Sequence, residues 1–304
     1  MNPDLAVAIG DLKMKNPVTV ASGTFGYGPE YAGLIDLNEL GAVTVKGISP
    51  DPVSGNPPPR IVEVPSGMIN AIGLQNPGVE RFCDEYIPFL EKYEVPVIVN
   101  IWGCTVEDYA VVARRLETES VVNALEINVS CPNIKEGSKT FGTHIDSFRN
   151  VVEQVRSASS KPIIPKLAPQ VASIVEYAQS ALDCGADAVS LINTLPAMAI
   201  DLDERRPVLG NVVGGLSGPA IHPVALKLVW EVASSVDIPI IAMGGVTEAR
   251  DALDFLVAGA TAVAVGTENF ANPLAPLEVV RGIREYMKSN DMRSMDDLIG
   301  SLRI

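Results

Sequence analysis

Ile240-Ile-Ala-Met-Gly-Gly-Val246 is a short apolar run that ends in two glycines, and one amphipathic stretch later Ala262-Val-Ala-Val-Gly-Thr267 repeats the pattern. Short β-branched runs of this kind read as buried strands, and glycine at their ends lets the chain turn away. Glycine also lets a ligand approach the peptide N–H groups, because no Cβ stands in the way. In parallel barrels the loops after the seventh and eighth strands commonly hold a phosphate in this manner. These two segments are the seventh and eighth of their kind in the chain.

Working outward, the strand-like runs are Pro17–Ala21, Ala42–Lys46, Val97–Ile101, Ala124–Asn128, Ile163–Lys166, Ala188–Ile192, Ile240–Met243 and Ala262–Val265. Helical patterns follow them near Tyr31–Asn38, Val79–Tyr93, Thr105–Leu116, Ile145–Ala158, Val171–Cys184, Pro223–Ser235, Ala249–Ala258 and Leu277–Lys288. Eight strand–helix units predict an α/β fold, a (β/α)₈ TIM barrel rather than an open doubly wound sheet. A length of 304 residues fits one such domain spanning 1–304. Two segments break the alternation. Ser54–Leu74 carries Pro57-Pro58-Pro59 and a strand pair, Arg60–Val64 and Met68–Ile72, about Ser66-Gly67. Ala197–Gly218 is rich in glycine and charge, with short runs at Ala199–Leu202 and Val208–Val213. Both follow strands, so both are expected as insertions over the C-terminal barrel face, where active sites lie. Leu5–Ile9 and Leu12–Met14 about Gly10-Asp11 predict a hairpin that plugs the other end.

The net charge of -14 and pI of about 4.6 make nucleic acid and anionic membranes poor partners, since both would be repelled. The opening Met-Asn-Pro-Asp does not read as a signal peptide, and no apolar run approaches the roughly 18–20 residues of a membrane span. Cys83, Cys104, Cys131 and Cys184 have no paired spacing, which points to free thiols and the cytoplasm.

The chemistry gathers at strand ends. In Ala124-Leu-Glu-Ile-Asn-Val-Ser-Cys-Pro-Asn133, Pro132 stops the ladder and leaves Cys131 just past a strand, flanked by Asn128 and Asn133. Such a thiol can move a proton or act as a nucleophile, and it can equally be a buried structural cysteine. Lys46 and Lys166 each close an apolar run and aim an ammonium at the barrel mouth, unless they are solvated rim charges. Asn70, Asn100, Asn128 and Asn193 sit beside apolar runs; converging, they would suit a flat polar ring. Sugar phosphates and flavin mononucleotide (FMN) both suit the glycine pairs. His144 and His222 are the only histidines and lie far apart, so no metal site is expected. Gly214-Gly-Leu-Ser-Gly218 reads as a glycine-rich loop, outside any Rossmann unit.

Taken in order, Ala21-Ser-Gly-Thr-Phe25, Thr44-Val-Lys-Gly-Ile48, Asn70-Ala-Ile-Gly-Leu-Gln-Asn-Pro-Gly78, Asn128-Val-Ser-Cys-Pro-Asn133, Asn193-Thr194, Gly210-Asn-Val-Val-Gly-Gly-Leu-Ser-Gly-Pro219, Gly244-Gly245 and Gly266-Thr267 resemble the dihydroorotate dehydrogenases over almost the whole chain. That resemblance implies FMN held by Ser22, Lys46, Gly47, Asn100, Asn128, Lys166, Ile192, Gly218, Gly244, Gly245, Gly266 and Thr267. It implies a dihydroorotate site of Lys46, Asn70, Ala71, Ile72, Gly73, Leu74, Asn128, Asn133, Asn193 and Thr194. It further implies Cys131 as the base at substrate C5, with Lys46 beside it as a catalytic group, while hydride passes from C6 to the flavin.

The segments Asn70–Gly78 and Gly210–Pro219 look most like the NAD-linked two-subunit class. That class implies a homodimer joined by electron-transfer subunits carrying FAD and a 2Fe-2S cluster, in a heterotetramer. Ser138, Trp102 and Cys104 depart from the family pattern. Alternatives are a fumarate-linked single-subunit enzyme and a dihydropyrimidine dehydrogenase-like reductase. A tRNA dihydrouridine synthase is disfavoured by the acidic charge. A non-catalytic phosphate-binding scaffold would be colourless.

Overall fold

The computed structural model describes residues 2–129 and 144–303. The expectations at Cys131, Asn133 and Ser138 lie outside the described residues.

The chain opens with an antiparallel hairpin, β1 (Val7–Ile9) and β2 (Leu12–Met14), turning at Gly10 with φ +54°. Then come β3 (Val18–Val20), β4 (Val43–Ile48), β5 (Ile61–Val64), β6 (Gly67–Asn70), β7 (Val97–Ile101), β8 (Val122–Asn128), β9 (Ile163–Lys166) and β10 (Val189–Leu191). After these follow β11 (Leu195–Ala197), β12 (Ile200–Asp201), β13 (Arg206–Pro207), β14 (Gly214–Ser217), β15 (Ile240–Met243) and β16 (Ala262–Val265). The eight expected strands form one parallel sheet in the order β3-β16-β15-β10-β9-β8-β7-β4, curled into a barrel with helices between them. Its two edges meet: Gly41 N–H donates to Val18 O at 2.9 Å, and the Thr19 and Thr44 hydroxyls hydrogen-bond at 3.0 Å.

Side chains alternate across each strand with a period of two, so the barrel sorts its residues onto two faces. Val43, Val45, Val97, Val99, Leu125, Ile127 and Ile163 pack outward among the helices. Ala42, Ile98, Ala124, Ile164, Ala188, Ile241 and Ala262 face inward at the lower end, where Ile9, Leu12 and Met14 of the hairpin close the barrel.

Two expected helices differ. Tyr31–Asn38 is instead a single turn, Pro29–Ala32, ended by Gly33, and a 3₁₀ turn, Leu37–Glu39. Asp36 accepts from Asn38 N–H at 3.0 Å, a local bond that competes with a continuous helix. Val79–Tyr93 divides into Val79–Glu85 and Ile87–Leu90, because Pro88 cannot donate within a helix and fits only a first turn.

The insertions form a roof. β5, β6, β14 and β11 make a four-stranded antiparallel sheet, and β12–β13 a small hairpin beside it. Gly214–Gly218 is therefore not the glycine-rich loop expected, and the expected run Val208–Val213 is not a strand: the strands of that insertion are Ile200–Asp201, Arg206–Pro207 and Gly214–Ser217. The glycines serve packing: a Cβ on Gly214 would lie 2.5 Å from Asn70 O, and one on Gly215 2.0 Å from Thr194 Oγ1.

Candidate active site

Between the barrel mouth and the roof lies a cavity of about 530 Å³, within the usual range for small-molecule and cofactor sites. Every described residue of both expected sets lines it. From the barrel come Ser22, Lys46, Gly47, Asn100, Asn128, Lys166, Ile192, Gly244, Gly245, Gly266 and Thr267; from the roof and its approaches come Asn70, Ala71, Ile72, Gly73, Leu74, Asn193, Thr194 and Gly218.

At one end the backbone makes a cradle. Gly244, Gly245 and Gly218 all have positive φ, at +132°, +71° and +99°. A Cβ on Gly245 would come within 2.9 Å of Gly218 O and 2.7 Å of His222 Cβ, so the close approach requires glycine. The His222 ring nitrogen Nδ1 lies 3.1 Å from Gly244 O and braces that loop from behind. Thr267 Oγ1 donates to Ser217 Oγ at 2.7 Å, tying the eighth strand's loop to the roof.

At the other end are amides and ammonium groups. Asn193 Nδ2 donates to Asn128 Oδ1 at 3.4 Å, and Asn70 Nδ2 to Gly215 O at 3.2 Å. Lys46 does not end its strand, which continues to Ile48 through a register shift after Val45. Such a bulge re-aims a side chain at the mouth of a barrel. Burial, with a smaller contribution from Arg60, holds the Lys46 ammonium below its ordinary pKa, against an opposing pull from Glu30. Among the described residues no thiol lines the cavity, and burial pushes Cys83 and Cys184 up to about 11, away from reactivity at neutral pH.

The dihydroorotate dehydrogenase family model matches residues 4–287. The chain belongs to the dihydroorotate dehydrogenase family. It is 51% identical over 301 residues to a protein of Thermoanaerobacter pseudethanolicus, covering 99% of each chain. It is 52% identical over 300 residues to one of Geotalea uraniireducens, covering 99% of this chain and 98% of that one. It is 50% identical over 304 residues to one of Desulforamulus reducens, covering 100% of both. Each of the three is named dihydroorotate dehydrogenase B (NAD(+)), catalytic subunit.

Family resemblance did not point to Glu126, which lies beneath this site with 2% of its surface exposed. Its Oε1 accepts from Asn100 Nδ2 at 2.6 Å and lies 3.7 Å from Lys166 Nζ, while its Oε2 accepts from Ser190 Oγ at 2.8 Å. The signal was present in the sequence. Glu126 falls between Ala124 and Asn128 at the inward period of its strand, so an acid there must enter the barrel. Gln170, Asn211 and Phe270 also line the cavity without having been expected.

Proposed function

We propose that the chain oxidises dihydroorotate to orotate, a step of pyrimidine synthesis, using FMN and passing electrons to NAD through a partner subunit. The observation that carries this reading is the convergence in one cavity of the glycine cradle, both lysines and the amide set, in a chain about half identical to NAD-linked catalytic subunits over its whole length.

The residues fit FMN. Gly244, Gly245, Gly266 and Thr267 would hold its phosphate by backbone N–H groups, and Lys166 with Asn100 would meet the polar edge of its ring. FMN, when bound, supplies the hydride acceptor. Lys46 pairs with the substrate carboxylate, while Asn70, Asn128, Asn133 and Asn193 bind the ring and fix its face. The roof strands, which contribute Asn70 and Gly215 to the lining, would limit water in the cavity. Cys131 takes the proton from C5, and because an ordinary thiol titrates at about 8.5, flavin reduction accelerates as pH rises toward that value.

The partner is an electron-transfer subunit carrying FAD and a 2Fe-2S cluster, two of them joining a homodimer of this chain in the cytoplasm. The "catalytic subunit" in the relatives' names supports a partner. Among the described residues no helix is long and apolar enough to cross a membrane.

The test is the absorption spectrum of the purified chain, followed by anaerobic addition of dihydroorotate. A yellow protein that bleaches supports the reading, and a colourless one rejects it. With dihydroorotate present, the isolated chain should reduce an artificial dye but not NAD. Rapid NAD reduction without a partner removes the two-subunit model, and rapid fumarate reduction selects the single-subunit class instead.

A further inference from the structure

Glu126 stands mid-strand in β8 with Leu125 and Ile127 turned outward, so its carboxylate points into the barrel beneath the cavity. Burying a carboxylate is costly unless it is paired and hydrogen-bonded. Here both oxygens are engaged, by Asn100, Ser190 and Lys166, and Lys166 is itself only 6% exposed. Asn100 and Lys166 line the cavity directly; Glu126 and Ser190 do not.

We propose that Glu126 is a positioning and charge-setting residue for the flavin, an inference that rests on the FMN reading above. Its first effect is on Asn100. A carboxylate only accepts hydrogen bonds, so it claims the amide's NH₂ and leaves the oxygen facing the opposite side. Asn100 Oδ1 indeed lies 2.6 Å from where a Gly47 Cβ would stand, which places an acceptor at that wall of the site and requires glycine opposite it. Its second effect is on Lys166. An ammonium alone beside the ring would strongly favour the anionic reduced flavin, and a carboxylate below it offsets that charge. Electrons then leave the reduced flavin more readily, which suits a low-potential acceptor at the end of the path.

The experiment is potentiometry on the flavin-loaded chain, with oxidised and reduced FMN binding to the apoprotein as a second readout. Glu126→Gln should raise the flavin potential, increasing the preference for reduced over oxidised FMN about tenfold. Lys166→Met should lower the potential, and the double variant should return toward wild type because the two charges cancel. Glu126→Asp, which keeps the charge, should stay near wild type. A merely structural role would not produce shifts of opposite sign that cancel. Should Glu126→Gln alone fail to hold flavin, comparing Lys166→Met with the double variant gives the same sign test. An unmoved potential, or a downward shift on removing Glu126, overturns the inference alone. A wild-type chain that binds no flavin overturns the reading beneath it.

Discussion

At the lower end of the barrel, Ile98, Ile164 and Ile241 alternate with Ala42, Ala124, Ala188 and Ala262 around the hairpin's Ile9, Leu12 and Met14. Two residues further along the same strands stand Thr44, Asn100, Glu126, Lys166 and Ser190, all buried. Two further still are Lys46 and Asn128, at the cavity itself. Five of the eight strands therefore pass from an apolar plug to a polar floor within one period of two, a rise of roughly 7 Å, while β15 and β16 stay apolar at Met243 and Ala264. Large and small apolar residues fill the bottom, whereas Thr44, Asn100, Glu126, Lys166 and Ser190 of the floor are each tied to a named partner. The difference teaches that stability and chemistry are stacked on one scaffold, one side-chain layer apart. Substitutions at the two ends should accordingly fail in different ways.

The largest effect belongs to the proposed base, which follows β8 in sequence. Cys131→Ala should slow flavin reduction by dihydroorotate roughly 10²–10⁴-fold, the usual cost of losing a general base, with flavin content unchanged. Anaerobic stopped-flow bleaching measures it, and a near-normal rate would remove Cys131 from the role. The matching substitution at the bottom is Leu12→Ala. Leu12 is fully packed against the barrel interior, and its truncation should cost about 2–5 kcal/mol in urea unfolding. Its flavin reduction rate should remain within about twofold of wild type. A Leu12 variant whose chemistry collapses while its stability holds would break the separation of the two ends.

The eight barrel strands are legible in sequence because each is a short β-branched run, and β7, β9, β15 and β16 begin and end as expected. The hairpin plug is legible for the same reason, with Gly10 marking its turn. The roof is not. Its two halves pair Gly215 with Asn70 and Leu216 with Ile69, partners about 145 residues apart, and local periodicity carries no information about which distant edges meet. For that reason Gly214–Gly218 reads as a loop although it is a strand thinned to let Asn70 and Thr194 approach. Glu126 is a different omission: its inward register is readable, but its partners come from three other strands and appear only when the barrel closes.

A smaller effect sharpens the comparison within the mouth. Gly245→Ala should weaken FMN binding about tenfold, because φ of +71° disfavours a Cβ and the contacts with Gly218 O and His222 must open. Fluorescence titration of the apoprotein measures this. An unchanged affinity would mean that the cradle tolerates a side chain and that the phosphate lies elsewhere in the cavity.

The smallest effect concerns the charge of Lys46. Burial lowers its pKa from the ordinary 10.5, Arg60 lowers it further, and Glu30 alone among the causes raises it. Between the lowered value and 10.5 the unfolded chain holds a proton that the folded chain has released, so this group's contribution to stability rises with pH across that window. With Lys46 in the proposed role, substrate affinity should run the other way, since the carboxylate would lose its partner as Lys46 gives up its charge. Glu30→Gln removes the opposing pull and should move the upper limb of the orotate-binding pH profile to lower pH. Glu30 and Lys46 face one open hollow beside the cavity, and solvent there screens the exposed carboxylate, so the shift should be modest and fade with added salt. Orotate titrations followed by the flavin spectrum at stepped pH, in low and high salt, measure it. A limb that does not move at low salt would show that Lys46 holds the substrate by position and not by a charge tuned from the rim.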